Sequence, residues 1–206
     1  YGCAKIRYSD GSQALPQNLP NLLTGLRIVA IPLMVMCYYL PQPISTVGAA
    51  VVFIVAAVTD WFDGWVARRM DQTSQFGAFL DPVADKLLVT VALILLMHRM
   101  DNIFITLAGM VVIGREIVIS ALREWMAQVG KRASVAVSGI AKVKTGVQMT
   151  AIPILIWYPS WPAVEEIRLL GLFLLALAVI LTLWSMVLYF RAFLSSLEEE
   201  SASPDG

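Results

Sequence analysis

Six stretches of this chain are each apolar for roughly the length that a bilayer demands, and no other feature limits its possible folds as strongly. They cover about Leu22–Leu40, Ile44–Arg69, Phe76–Met97, Ile103–Met126, Ser138–Tyr158 and Val164–Leu194. Hydrocarbon cannot hydrogen-bond a peptide group, so continuous apolar segments of this length are satisfied only as helices. The charge content supports the same class: 15% of the 206 residues are charged, against about 25% in a soluble domain. The expectation is an all-α, polytopic membrane protein with six transmembrane helices spanning residues 18–194. A polar segment, 1–17, precedes it, and a polar tail, 195–206, follows. The polar N-terminal stretch is expected to be an added or processed end, and no cleavable signal peptide is expected.

Charge placement orients the helices. With both termini in the cytoplasm, all the Lys and Arg residues except Arg99 and Arg168 fall at the cytoplasmic side or at helix ends facing it, as the positive-inside rule requires. Trp157, Tyr158 and Trp161 suit the opposite interface. A formal net charge of zero gives no reason to expect nucleic acid as a partner. The two cysteines, Cys3 and Cys37, are too few for a disulfide framework or a zinc site. His98 reads as an interface residue, and Lys86 as a side chain that snorkels to the cytoplasmic surface.

Chemistry concentrates where the second stretch ends and the third begins. Asp60, Asp63, Gly64 and Ala67 share one helical face. A packing face would carry Leu or Ile there; this one offers two carboxylates beside two very small residues. Gly77, Asp81 and Asp85 form a second stripe at i, i+4, i+8. A short connection makes the two helices an antiparallel hairpin, so the stripes can face each other near the cytoplasmic boundary. Clustered carboxylates at the edge of a bilayer repel one another and resist ionisation. Two divalent cations would cancel that charge, and an oxygen-only donor set favours Mg²⁺ or Mn²⁺ over zinc. Paired ions of this kind are a common clamp for phosphoryl chemistry.

Asp60, Asp63, Gly64, Ala67, Arg68, Gly77, Asp81 and Asp85 stand in the pattern D-x-x-D-G-x-x-A-R-x8-G-x3-D-x3-D. This resembles the signature of the CDP-alcohol phosphotransferases, and the likeness extends over about residues 18 to 192. Pro20-Asn21-Leu22-Leu23-Thr24 with Arg27 is similar to the family's opening segment. Gly114-Arg115-Glu116-Ile117, Ala121-Leu122-Arg123-Glu124-Trp125 and Gly139-Ile140-Ala141-Lys142-Val143-Lys144-Thr145 are similar to its bacterial phosphatidylglycerophosphate synthase branch. The segment 1–17 has no counterpart in that branch.

The resemblance implies a six-helix fold in the bacterial inner membrane, a homodimer, and a site on the cytoplasmic side holding two Mg²⁺ or Mn²⁺ ions. By position, Asp60, Asp63, Asp81 and Asp85 would be metal ligands, with Asp85 also the general base. Asn21, Thr24, Gly64, Ala67, Arg68, Ser74 and Gly77 would surround CDP-diacylglycerol. The implied acceptor is glycerol 3-phosphate, whose phosphate would meet Arg115, Glu116, Ser120, Arg123, Lys142, Lys144 and Thr145. Glu116, Ser120 and Arg123 share a stripe; Arg115, about two turns inside its span, needs a partner there, either Glu116 or a substrate phosphate. Inositol phosphate, serine or a second lipid stay open as acceptors. A divalent-cation transporter and a non-catalytic scaffold are the alternatives from other classes. The apolar external halves of the helices weigh against a transporter.

Overall fold

A computed structural model describes residues 19–70, 75–128, 138–158 and 165–202. Among the described residues the fold is helical throughout, with six helices in order: α1 (Leu19–Tyr38), α2 (Ile44–Met70), α3 (Gln75–Met100), α4 (Ile103–Gln128), α5 (Ser138–Trp157) and α6 (Glu165–Ala202). Their starts and ends lie close to those expected from hydropathy, except at the C-terminus. There α6 continues to Ala202, past the Leu194 at which the apolar run stops. Leu197 and Glu198-Glu199-Glu200 are good helix formers, so loss of hydrophobicity does not end the helix.

Between α3 and α4 the chain turns at Asp101, whose φ of 38° lies in the left-handed region; Asp tolerates it better than most residues because its short side chain bonds locally. Asn102 then caps α4 through its side-chain oxygen, which accepts from the Phe104 N–H at 2.9 Å.

The pattern of burial is that of helices packed in lipid. Alanines fill many of the tightest contacts: Ala49, Ala56, Ala84, Ala92, Ala108, Ala151 and Ala178 are all buried. Large apolar side chains such as Val29, Met36, Ile103, Met110, Phe173 and Trp184 point outward. Small residues let helix backbones approach where lipid supplies no hydrophobic drive, and so broad an exposed apolar surface needs a nonaqueous neighbour. At Gly171 of α6 an added Cβ would lie 2.6 Å from Leu155 Cδ2 of α5, so this seam closes only because that position lacks a side chain.

Two described stretches, Ile103–Met126 and Glu165–Ser195, are long and apolar enough to cross a membrane. Gly25–Tyr38 within α1 and Ile44–Thr59 within α2 are shorter apolar stretches.

The helices interlock as α1 against α2 and α3, α5 against α2, α3 and α6, and α4 between α3 and α6. The core runs through the middle of this arrangement, with Met34, Phe53, Leu88, Leu93, Leu96, Ile105, Ile152, Leu155 and Leu175 nearly closed to solvent. Its consequence for the site is that α3, α4 and α5 share one end.

Candidate active site

Asp85 and Lys86 on α3, Glu116 on α4, and Lys144, Thr145 and Gln148 on α5 line one cleft, completed by Val89 and Met149. It holds about 50 Å³, more than a single water requires. Asp85 is half-buried, while Lys144 and Gln148 are each 4% exposed.

Glu116 organises the cleft. Its Oε1 accepts from Lys144 Nζ and, at 3.2 Å, from Arg115 Nη1. Its backbone carbonyl accepts from the Ser120 hydroxyl, and Ser120 Oγ in turn accepts from Lys86 Nζ at 2.5 Å. Lys86, expected to snorkel outward, is instead turned across to α4. The reason is that Ser120 projects one turn beyond Glu116 toward α3 and offers it an oxygen. Three cations therefore stand around Glu116, and in the cleft wall itself Lys86 and Lys144 stand beside Glu116 and Asp85.

Behind the cleft, α6 holds Arg115 from the other side. Arg115 is 6% exposed and donates through Nη2 to Ser185 Oγ at 2.8 Å, and Ser185 donates to the Thr182 carbonyl at 2.9 Å. A buried guanidinium needs such partners, since leaving it unpaired would cost several kcal/mol, on the order of the penalty for any buried charge. Tyr189 lies below the guanidinium carbons of Arg115 and Arg123, at 5.8 and 5.1 Å from its ring centre. Its hydroxyl accepts from Arg123 Nη2 at 2.6 Å. Of the residues expected around the acceptor phosphate, Glu116, Lys144 and Thr145 line the cleft, Arg115 and Ser120 bond to its wall, and Arg123 turns to Tyr189. The side chain of Lys142 lies outside the described residues.

The acid motif is seen along its backbone. Asp60 and Asp63 stand one turn apart on α2, and Asp81 one turn before Asp85 on α3; α2 and α3 are in contact. The side chains of Asp60, Asp63 and Asp81 lie outside the described residues, as do those of Asn21, Thr24, Ala67 and Arg68. Gly64 and Gly77 fall on α2 and α3 within the same stretches, and Ser74 lies outside the described residues altogether. Among the described residues no three metal-binding side chains cluster. The motif's donors are all carboxylate oxygens on two touching helices, a set that fits hard divalent cations.

The sequence profile of the CDP-alcohol phosphatidyltransferase family matches residues 17–190. This chain belongs to that family. It is 52% identical over 176 residues to the CDP-diacylglycerol–glycerol-3-phosphate 3-phosphatidyltransferase of Escherichia coli strain K12, covering 85% of this chain and 94% of the relative. Identity and coverage are the same for the enzymes of that name from Shigella flexneri and Shigella boydii serotype 4.

In this phosphatidyltransferase the matched stretch reaches far enough to include Thr182, Ser185 and Tyr189. Sequence reasoning passed over these three as part of an apolar final helix. A signal was present: they are spaced i, i+3, i+7, one polar stripe on α6. Their partners could not be read the same way, because Arg115 and Ser185 are 70 residues apart.

Proposed function

We propose that this phosphatidyltransferase moves the phosphatidyl group of CDP-diacylglycerol onto glycerol 3-phosphate, forming phosphatidylglycerol phosphate and releasing CMP. Family membership and the relatives named for that reaction support the reading. The single observation that carries it is the shared cleft: Asp85, the last acid of the motif, opens onto the same space as Lys86 and Lys144. A carboxylate able to take a proton thus stands beside cations able to hold an anionic acceptor.

In the reaction a hydroxyl oxygen of the acceptor attacks the β-phosphorus. A new P–O bond forms, the bond from that phosphorus to the bridging oxygen breaks, and its electron pair leaves with CMP. Asp85 takes the hydroxyl proton. Lys144 and Arg115, set in place by Glu116 and Ser185, orient the acceptor phosphate, and Ser120 does the same for Lys86. Asn21, Thr24, Gly64, Ala67, Arg68, Ser74 and Gly77 surround the cytidine diphosphate. Asp60, Asp63, Asp81 and Asp85 would hold two Mg²⁺ or Mn²⁺ ions, which when bound neutralise the diphosphate and the charge building on the leaving group. The fold crosses the bacterial inner membrane six times as a homodimer, with both termini and the site facing the cytoplasm.

The test is CMP release from CDP-diacylglycerol in mixed micelles, with glycerol 3-phosphate, serine or inositol phosphate, in Mg²⁺, Mn²⁺ or chelator. Release that requires both glycerol 3-phosphate and a divalent ion is expected. Absence of any acceptor-dependent CMP would overturn the function, and undiminished release in chelator would overturn the metal assignment.

A further inference from the structure

Gln148 occupies the cleft one helical turn beyond Lys144 on α5, and its Oε1 is buried without a hydrogen-bond partner. At 4% exposure the residue is nearly closed to bulk water. An unmet acceptor in such a place is a costly feature unless something supplies the missing donor. Val89 and Met149, which line the same cleft, carry no side-chain donor, Lys144 is turned to Glu116 and Lys86 to Ser120, and the hydroxyl of Thr145 on the same wall is not bonded to Gln148 Oε1.

We infer that Gln148 is a specificity-determining residue, whose Oε1 accepts a hydrogen bond from the hydroxyl of the acceptor that does not react. The inference rests on the proposed acceptor reading of the cleft. The phosphate of glycerol 3-phosphate is an acceptor and is met by cations, so it cannot satisfy another acceptor. The attacking hydroxyl gives its proton to Asp85. With the primary C1 hydroxyl as the attacking group, the C2 hydroxyl is the one that keeps a proton to donate, and Gln148 lies on the wall shared with Asp85 and Lys144. A site that buries an acceptor for one substrate hydroxyl discriminates strongly against analogues lacking it, because the acceptor is then stranded.

The experiment compares glycerol 3-phosphate with propane-1,3-diol monophosphate, which lacks the C2 hydroxyl, and with dihydroxyacetone phosphate, which carries a carbonyl there. CMP release is followed for the wild type and for Gln148→Met, a substitution of similar volume with no amide. The wild type should favour glycerol 3-phosphate in kcat/KM by about 10- to 100-fold over either analogue. Gln148→Met should lower kcat/KM for glycerol 3-phosphate and bring the ratio to the deoxy analogue to within about 3-fold, since the stranded acceptor is gone. Equal use of both acceptors by the wild type would overturn the inference without recourse to any variant. So would a ratio unchanged in Gln148→Met. No turnover of glycerol 3-phosphate by wild-type enzyme would instead signal failure of the acceptor reading itself.

Discussion

Replacing Glu116 by Gln removes one negative charge and almost no volume, and it should unsettle the cleft more than any other single change. The carboxylate is the acceptor for both Lys144 and Arg115, whose side chains are each 5% exposed, while its own is 23% exposed. Removing one member of a buried ion pair costs about 3–5 kcal/mol, because the other charge is left uncompensated. The partial exposure of Glu116 and the second anchor of Arg115 on Ser185 put the cost at the low end, about 3 kcal/mol. For a chain of this size that corresponds to a fall in Tm of about 6–12 °C. The informative assay is a double-mutant cycle in detergent micelles, with Glu116→Gln, Lys144→Met and both together, read by thermal unfolding. Removing both partners leaves no stranded lysine, so the double variant should be more stable than additivity predicts by about 1.5–3 kcal/mol. Additivity to within about 0.5 kcal/mol would refute the claim that Glu116 holds Lys144 in place.

Asp85→Asn should lower the rate of CMP release by about 10²- to 10⁴-fold, the usual contribution of a general base, with little change in Tm; near-normal turnover would exclude Asp85 as the base. Ser185→Ala deprives the buried Arg115 of a hydrogen bond at 2.8 Å and should cost about 1.5–3 kcal/mol, seen as a raised KM for glycerol 3-phosphate with the KM for CDP-diacylglycerol unchanged. Gly171→Ala would place a methyl 2.6 Å from Leu155 Cδ2, and the α5–α6 seam should lose about 1–3 kcal/mol in thermal unfolding with substrate specificity intact.

Local periodicity carried most of what could be read from the chain alone. Six apolar segments bounded by prolines and polar turns set the helices, since a run of that kind has one backbone solution in lipid. The acid motif was equally plain, because carboxylates at i, i+3 and i+4 are a property of a single helix. Arg115 could be singled out as needing a partner, since a buried cation advertises its own cost. Glu116, its neighbour in sequence, was readable as one partner and does accept from it; the second, Ser185, was decided only when α4 was laid against α6. Lys86 meets Ser120 across 34 residues of chain, and Lys144 meets Glu116 across 28. These pairings depend on the rotation of one helix about its axis relative to the next. That rotation is set by where alanines and glycines let backbones approach, through the packing of all the neighbours together. A sequence pattern specifies which residues share a face of a helix, but only the assembled bundle specifies what that face meets.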